Sequence, residues 1–151
     1  MSIRVIVTNN HRRYRPDRRK AAQYIRDVLK GEGEGKALIS VVFVGSSLIR
    51  TLNRQFLHHD HVTDVLAFPL GNAEMMEGEI YVNLDRAHSQ AALYRVPAAE
   101  EVARLIIHGA LHLAGYGDTK RAAARRMKKA EDHYVNHWFT KKEGKDERTH
   151  R

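Results

Sequence analysis

The segment that most constrains this chain runs from Val102 to Asp118: an apolar helical stretch carrying His108 and His112, a stop at Gly115, and Asp118 three residues beyond it. Residues four apart share a helix face, so the two imidazoles can address one metal ion. Gly115 can end the helix and reverse the chain, which lets Asp118 return to the same ion as a third ligand. Three protein ligands with one open position make a catalytic metal site, whereas structural zinc is usually closed by four. Because Val102 to Ala114 is apolar on most faces, this helix is expected to be buried and to hold both histidines inside the protein, neutral and shielded from water.

Such a helix has to be covered by other elements, and the rest of the chain supplies them. Four stretches read as strands: β-branched Ile3 to Val7, the near-continuous apolar run Ala37 to Val44, the short Val65 to Pro69, and the alternating Gly78 to Leu84. Pro16 and Asp17 suit the first turn of a helix whose apolar stripe ends at Leu29. Ser46 or Ser47 is expected to cap a second helix that buries Leu48, Ile49, Leu52 and Phe56. Asp85 is expected to cap a third through about Tyr94, and Pro97 to open the His-bearing fourth. A fifth, from about Thr119 to Trp138, is basic on its outer face. Gly31 to Gly35 follows a helix and carries acidic residues, so it is no phosphate loop. Residues 1–140 read as one domain. Residues 141–151 contain no apolar residue to pack and read as a disordered tail.

Composition narrows the chemistry. Without cysteine, any metal must take imidazole and carboxylate ligands, and two His with one Asp suit Zn²⁺. With 26 Lys and Arg against 18 Asp and Glu, the formal charge is +8, which favours a polyanionic partner, nucleic acid first. No apolar run is long enough to span a bilayer and the N-terminus has no signal-like core, so a cytoplasmic location is expected. In the zinc-peptidase helix a Glu after the first His is the general base, but here Gly109 stands there. Peptide hydrolysis loses its usual base, while metal-assisted cleavage of a phosphodiester suits a basic surface.

Two segments together carry a specific resemblance. His108-Gly-x-Leu-His112-Leu-x-Gly115-Tyr116 and Thr63-Asp64-Val65-Leu66-x-Phe68-Pro69 resemble the signatures of the bacterial YbeY family, and the order of elements is similar over about residues 3 to 138. The resemblance implies an α+β fold, a small mixed sheet of about four strands packed with about five helices. It implies a zinc-dependent, single-strand-specific endoribonuclease acting on the 3′ end of small-subunit ribosomal RNA, in contact with the small subunit and its assembly proteins. It also implies that Thr63 and Asp64 line the cleft near the metal. Asp118 stands where the family usually has a third His. The family pattern Leu-Asn-x-x-[Tyr/Phe]-Arg ends here in Leu57, so Arg54 or His59 is the candidate for the phosphate-binding charge. The alternative from another class is a non-catalytic assembly factor that binds ribosomal RNA and uses the metal for structure.

Overall fold

The computed structural model describes residues 2–58, 61–71 and 74–139; His59 and the tail at 141–151 lie outside the described residues. The strands are β1 (Ile3–Asn9), β2 (Ala37–Val44), β3 (Val65–Leu70) and β4 (Met76–Asn83). The helices are α1 (Arg18–Gly31), α2 (Ser46–Leu57), α3 (Leu84–Tyr94), α4 (Ala98–Leu113) and α5 (Arg121–Trp138). The fold is α+β. One mixed sheet has the order β1-β2-β4-β3, with β1, β2 and β4 parallel and β3 antiparallel at the edge. That edge explains how β3 contains Pro69, which the sequence reading used as its end: a residue without an N–H is tolerated where one side of the strand is unpaired.

The strands alternate, and their two faces are covered unequally. Ile39, Val41, Phe43, Ile80 and Val82 point into the main core with α1, α3, α4 and α5. The other face carries Val42, Val44, Leu66, Phe68 and Tyr81, over which α2 packs Ile49 and Leu52. Two glycines set how closely α4 approaches the sheet. A Cβ at Gly109 would lie 2.6 Å from Ile80 Cγ2, and a Cβ at Gly78 would lie 2.6 Å from Leu113 Cδ1. Ile80 of the strand thus fills the gap left by a helix glycine, and one turn on, Leu113 of the helix fills the gap left by a strand glycine. Neither contact tolerates a larger residue without a shift in close-packed surroundings.

The helix caps depart from the local reading. The first turn of α2 has no side-chain cap from Gly45, its N-cap residue; instead Asp85 Oδ2 of α3 accepts from Ser46 N at 2.9 Å. Asp85 is therefore inside the first turn of α3, and Asn83 caps that helix by accepting from Arg86 N. Asp17 caps α1 by accepting from Lys20 N. Among the described residues no helix is long and apolar enough to cross a membrane.

Candidate metal centre

The last turn of α4 determines the site. Gly115 takes φ +110, Tyr116 N donates to Leu111 O and Gly115 N to His112 O, both at 3.0 Å. This left-handed cap satisfies carbonyls that would otherwise be orphaned and turns the chain back along the helix. The turn is tied down from the far side: Tyr116 Oη donates to Glu32 Oε1 at 3.0 Å, and Tyr134 Oη of α5 donates to Glu32 Oε2 at 2.6 Å. Burial, and then the hydrogen bond to Glu32, hold both phenols above their ordinary pKa.

The consequence is that Asp118 comes back over the two histidines. His108 Nε2 and His112 Nε2 each stand 3.3 Å from Asp118 Oδ2. One donor atom from each of the three lies within 4.8 Å of the other two. In a tetrahedron with metal–donor bonds of about 2.0–2.1 Å, adjacent donors are about 3.3 Å apart, so this donor set fits an ion such as zinc. The helix is buried as the sequence indicates, but the histidines are on its one open side: His108 is 21% exposed, His112 34% and Asp118 37%.

A second layer of charge stands behind His108. Its Nδ1 donates to Glu131 Oε2 of α5, an arrangement that fixes the ring and leaves the Nε2 lone pair toward Asp118. Glu131 Oε1 in turn accepts from Arg104 Nη1 at 3.0 Å, while Arg104 Nη2 donates to Asp132 Oδ1 at 2.8 Å. Arg104 is 1% exposed. Burial works against charge on His108, but the hydrogen bond to Glu131, its charge, and the charges of Asp118 and Asp64 prevail and hold the imidazole above its ordinary value. Burial likewise opposes ionisation of Glu131, and its bond to His108, with the charges of His108 and Arg104, holds the carboxyl below its ordinary value. The sequence reading missed both residues. A signal existed: Arg104 falls in an apolar stretch, and Glu131 falls on the Met127, Tyr134, Val135 stripe, so both charges are at positions that get buried and need a partner.

Beside the three donors opens a cleft of about 460 Å³, lined on one side by Asp64 and Val65 and on the other by α5. Asp64 is held by Asn83, which is fully buried: Asn83 N donates to Asp64 O at 2.9 Å and Asn83 Nδ2 to Thr63 O at 3.0 Å. The Asp64 carboxylate accepts from Gln90 Nε2 at 3.3 Å. Arg54 is not among the residues that line this cleft; it is on α2, over the opposite face of the sheet. His59 lies outside the described residues. The site thus brings together His108, His112, Asp118 and, across the cleft, Asp64.

The chain is similar to known proteins along most of its length. A family model described as endoribonuclease YbeY matches residues 6–139. The endoribonuclease YbeY of Chlorobium luteolum is 38% identical over 115 residues, covering 76% of this chain and 84% of that protein. That of Chlorobaculum tepidum is 39% identical over 114 residues, covering 76% and 83%. Among solved structures, the solution structure of TM1509 from Thermotoga maritima superposes with a TM-score of 0.59 at 26% identity, covering 94% of this chain and 99% of that one.

Proposed function

The chain belongs to the YbeY endoribonuclease family, and from that premise we propose that it is a zinc-dependent endoribonuclease. Its substrate is single-stranded RNA, and its place is in the cytoplasmic maturation of the 3′ end of small-subunit ribosomal RNA, at the small subunit with its assembly proteins. The observation that carries the catalytic reading is that His108, His112 and Asp118 meet at the edge of an open cleft, with three donors and no fourth side chain closing the set among the described residues. A structural ion is ordinarily enclosed by four ligands; a site that keeps one side open is built to admit a reactant.

When bound, zinc supplies Lewis acidity toward a phosphodiester oxygen. The protein's own residues do the rest. Glu131 holds the His108 ring in one orientation, so the donor set is organised before substrate arrives. Asp64, with its backbone pinned by Asn83, presents a carboxylate across the cleft that can accept a proton from attacking water. Buried Arg104 keeps Glu131 ionised and therefore keeps His108 oriented.

The test is turnover of an RNA with an unpaired tail. Cleavage by the zinc-loaded protein, abolished in His112→Ala while RNA binding survives, is the expected result. Unchanged cleavage in that variant would overturn the reading and favour a factor that binds RNA and uses the metal for structure.

A further inference from the structure

The α5 wall of the cleft has a feature that metal binding does not need. Arg121, Arg125 and Lys128 line the cleft beside His108 and Asp118, spaced i, i+4 and i+7 so that they share one face of the helix. Along the axis they span about 10 Å. Arg121 and Arg125 are exposed, and neither pairs with a carboxylate among the described residues; Lys128 shares Asp132 at 3.4 Å.

This arrangement is unfavourable for the helix by itself. Like charges at i and i+4 destabilise a helix by about 0.2–0.5 kcal/mol per pair. The first turn of α5 contains no acidic residue, its N-cap Lys120 makes no side-chain cap, and Arg121 puts positive charge at the positive end of the helix dipole. A segment shaped only for stability would carry Asp or Glu there. The cationic ridge is relieved by an anionic ligand lying in the cleft, and three cations in a row over about 10 Å match a chain of phosphates better than a single anion.

We propose that Arg121, Arg125 and Lys128 form the track that holds the phosphates of the RNA strand flanking the bond to be cut. This rests on the nuclease reading above and adds which residues grip the polymer. The strand runs between this ridge and Asp64, and phosphate contacts of this kind position without reading sequence.

The test measures binding as well as cleavage. The probe is a single-stranded 2′-O-methyl phosphorothioate dodecamer, which resists cutting, titrated onto zinc-loaded protein by fluorescence anisotropy from 0.05 to about 0.5 M monovalent salt. Each phosphate contact to a single strand contributes about −0.7 to the slope of log K against log salt. In an Arg121→Gln, Arg125→Gln variant the slope should fall in magnitude by about 1.4, and affinity at 0.1 M salt should drop about 25-fold. An Arg126→Gln, Lys129→Gln variant loses the same charge from two residues that do not line the cleft, and should change neither. Lys128 is left in place because its partner Asp132 also holds Arg104.

Cleavage of ordinary RNA should show a raised KM in the first variant, while metal content stays at the level of the unaltered protein. Equal weakening by both variants, or by neither, would overturn the track. If the unaltered protein neither bound nor cut RNA while holding zinc, the nuclease reading itself would fall, a result distinct from any confined to the variants.

Discussion

Glu131 of α5 accepts the Nδ1 proton of His108 of α4, leaving Nε2 of the same ring to face Asp118. The geometry of the candidate metal centre therefore depends on how two helices pack, as well as on the three donors themselves. Glu131→Gln should weaken zinc affinity about 10- to 100-fold in a chelator competition, the range expected when the partner behind a ligating histidine is lost. Buried Arg104 would keep Asp132 but lose the charge of its second carboxylate partner, so metal-free protein should lose about 1.5–3 kcal/mol in denaturant unfolding, the worth of a hydrogen bond to a charged group. Wild-type affinity in this variant would show that the carboxylate does not orient the ring.

Asp118 is the donor that depends on the Gly115 turn. Asp118→Ala should lower zinc affinity further than Glu131→Gln does, because a ligand atom is removed instead of its support. Asp118→His should keep one zinc per chain, since imidazole is a competent replacement at a position where the backbone already brings a donor within reach. Elemental analysis of the two purified variants beside the unaltered protein decides both points; equal zinc in all three would remove Asp118 from the donor set.

Asp85 gives a prediction in pH. Its carboxyl is held below the ordinary 3.8, first by the hydrogen bond from Ser46 N–H and then by the one to His11. A depressed folded value means stabilisation that is present above 3.8 and is lost as pH falls through the lower folded value. At pH 7 Asp85→Ala should cost about 1 kcal/mol, the worth of a helix cap, and lower Tm by about 2–4 °C. The gap between the two proteins should close in acid. A gap that persists unchanged at pH 2 would mean that packing, and not the ionised cap, is responsible.

Gly109 and Ile80 should be strongly coupled. Alanine favours a helix over glycine by about 1 kcal/mol, yet the added Cβ meets a fully buried β-branched side chain, and Gly109→Ala should destabilise by about 1–2 kcal/mol net. Ile80→Ala alone should cost about 2–5 kcal/mol. The double variant should be more stable than the sum of the two losses by at least about 1 kcal/mol, because the new methyl occupies the space Ile80 leaves. Simple additivity in urea unfolding would refute the close contact.

What could be read from the chain follows how local each feature is. His108, His112 and Asp118 lie within eleven residues, joined by one helix turn and one cap, so spacing alone brings them together. The four strands and five helices also follow from local period, whereas the mixed sheet is what the family resemblance implies, and the sheet is mixed. The misassigned cap of α2 has a tertiary cause: the helix already begins at Ser46, whose N–H donates to Asp85, thirty-nine residues away, and whose hydroxyl accepts from Asn83 Nδ2. The histidines' exposure was hidden for the same reason. Periodicity says that α4 is buried, and only the packing of α5 and β3 decides which side of its last turns stays open. The cations of α5 were visible as a basic helix, yet nothing local distinguishes Arg121 and Arg125 from Arg126 and Lys129; the cleft does.

The paired glycine contacts between α4 and β4 limit what this scaffold can become. A glutamate at position 109 would convert the His-x-x-x-His helix into the peptidase pattern by a single substitution, but its first side-chain carbon would meet Ile80. To make room, either the Ile80 side chain or the helix that carries His108 and His112 would have to shift. Crowding on the inner side of the helix therefore opposes a protein-cutting descendant, and laboratory evolution toward that activity would go more easily with a smaller residue at Ile80 in the strand first.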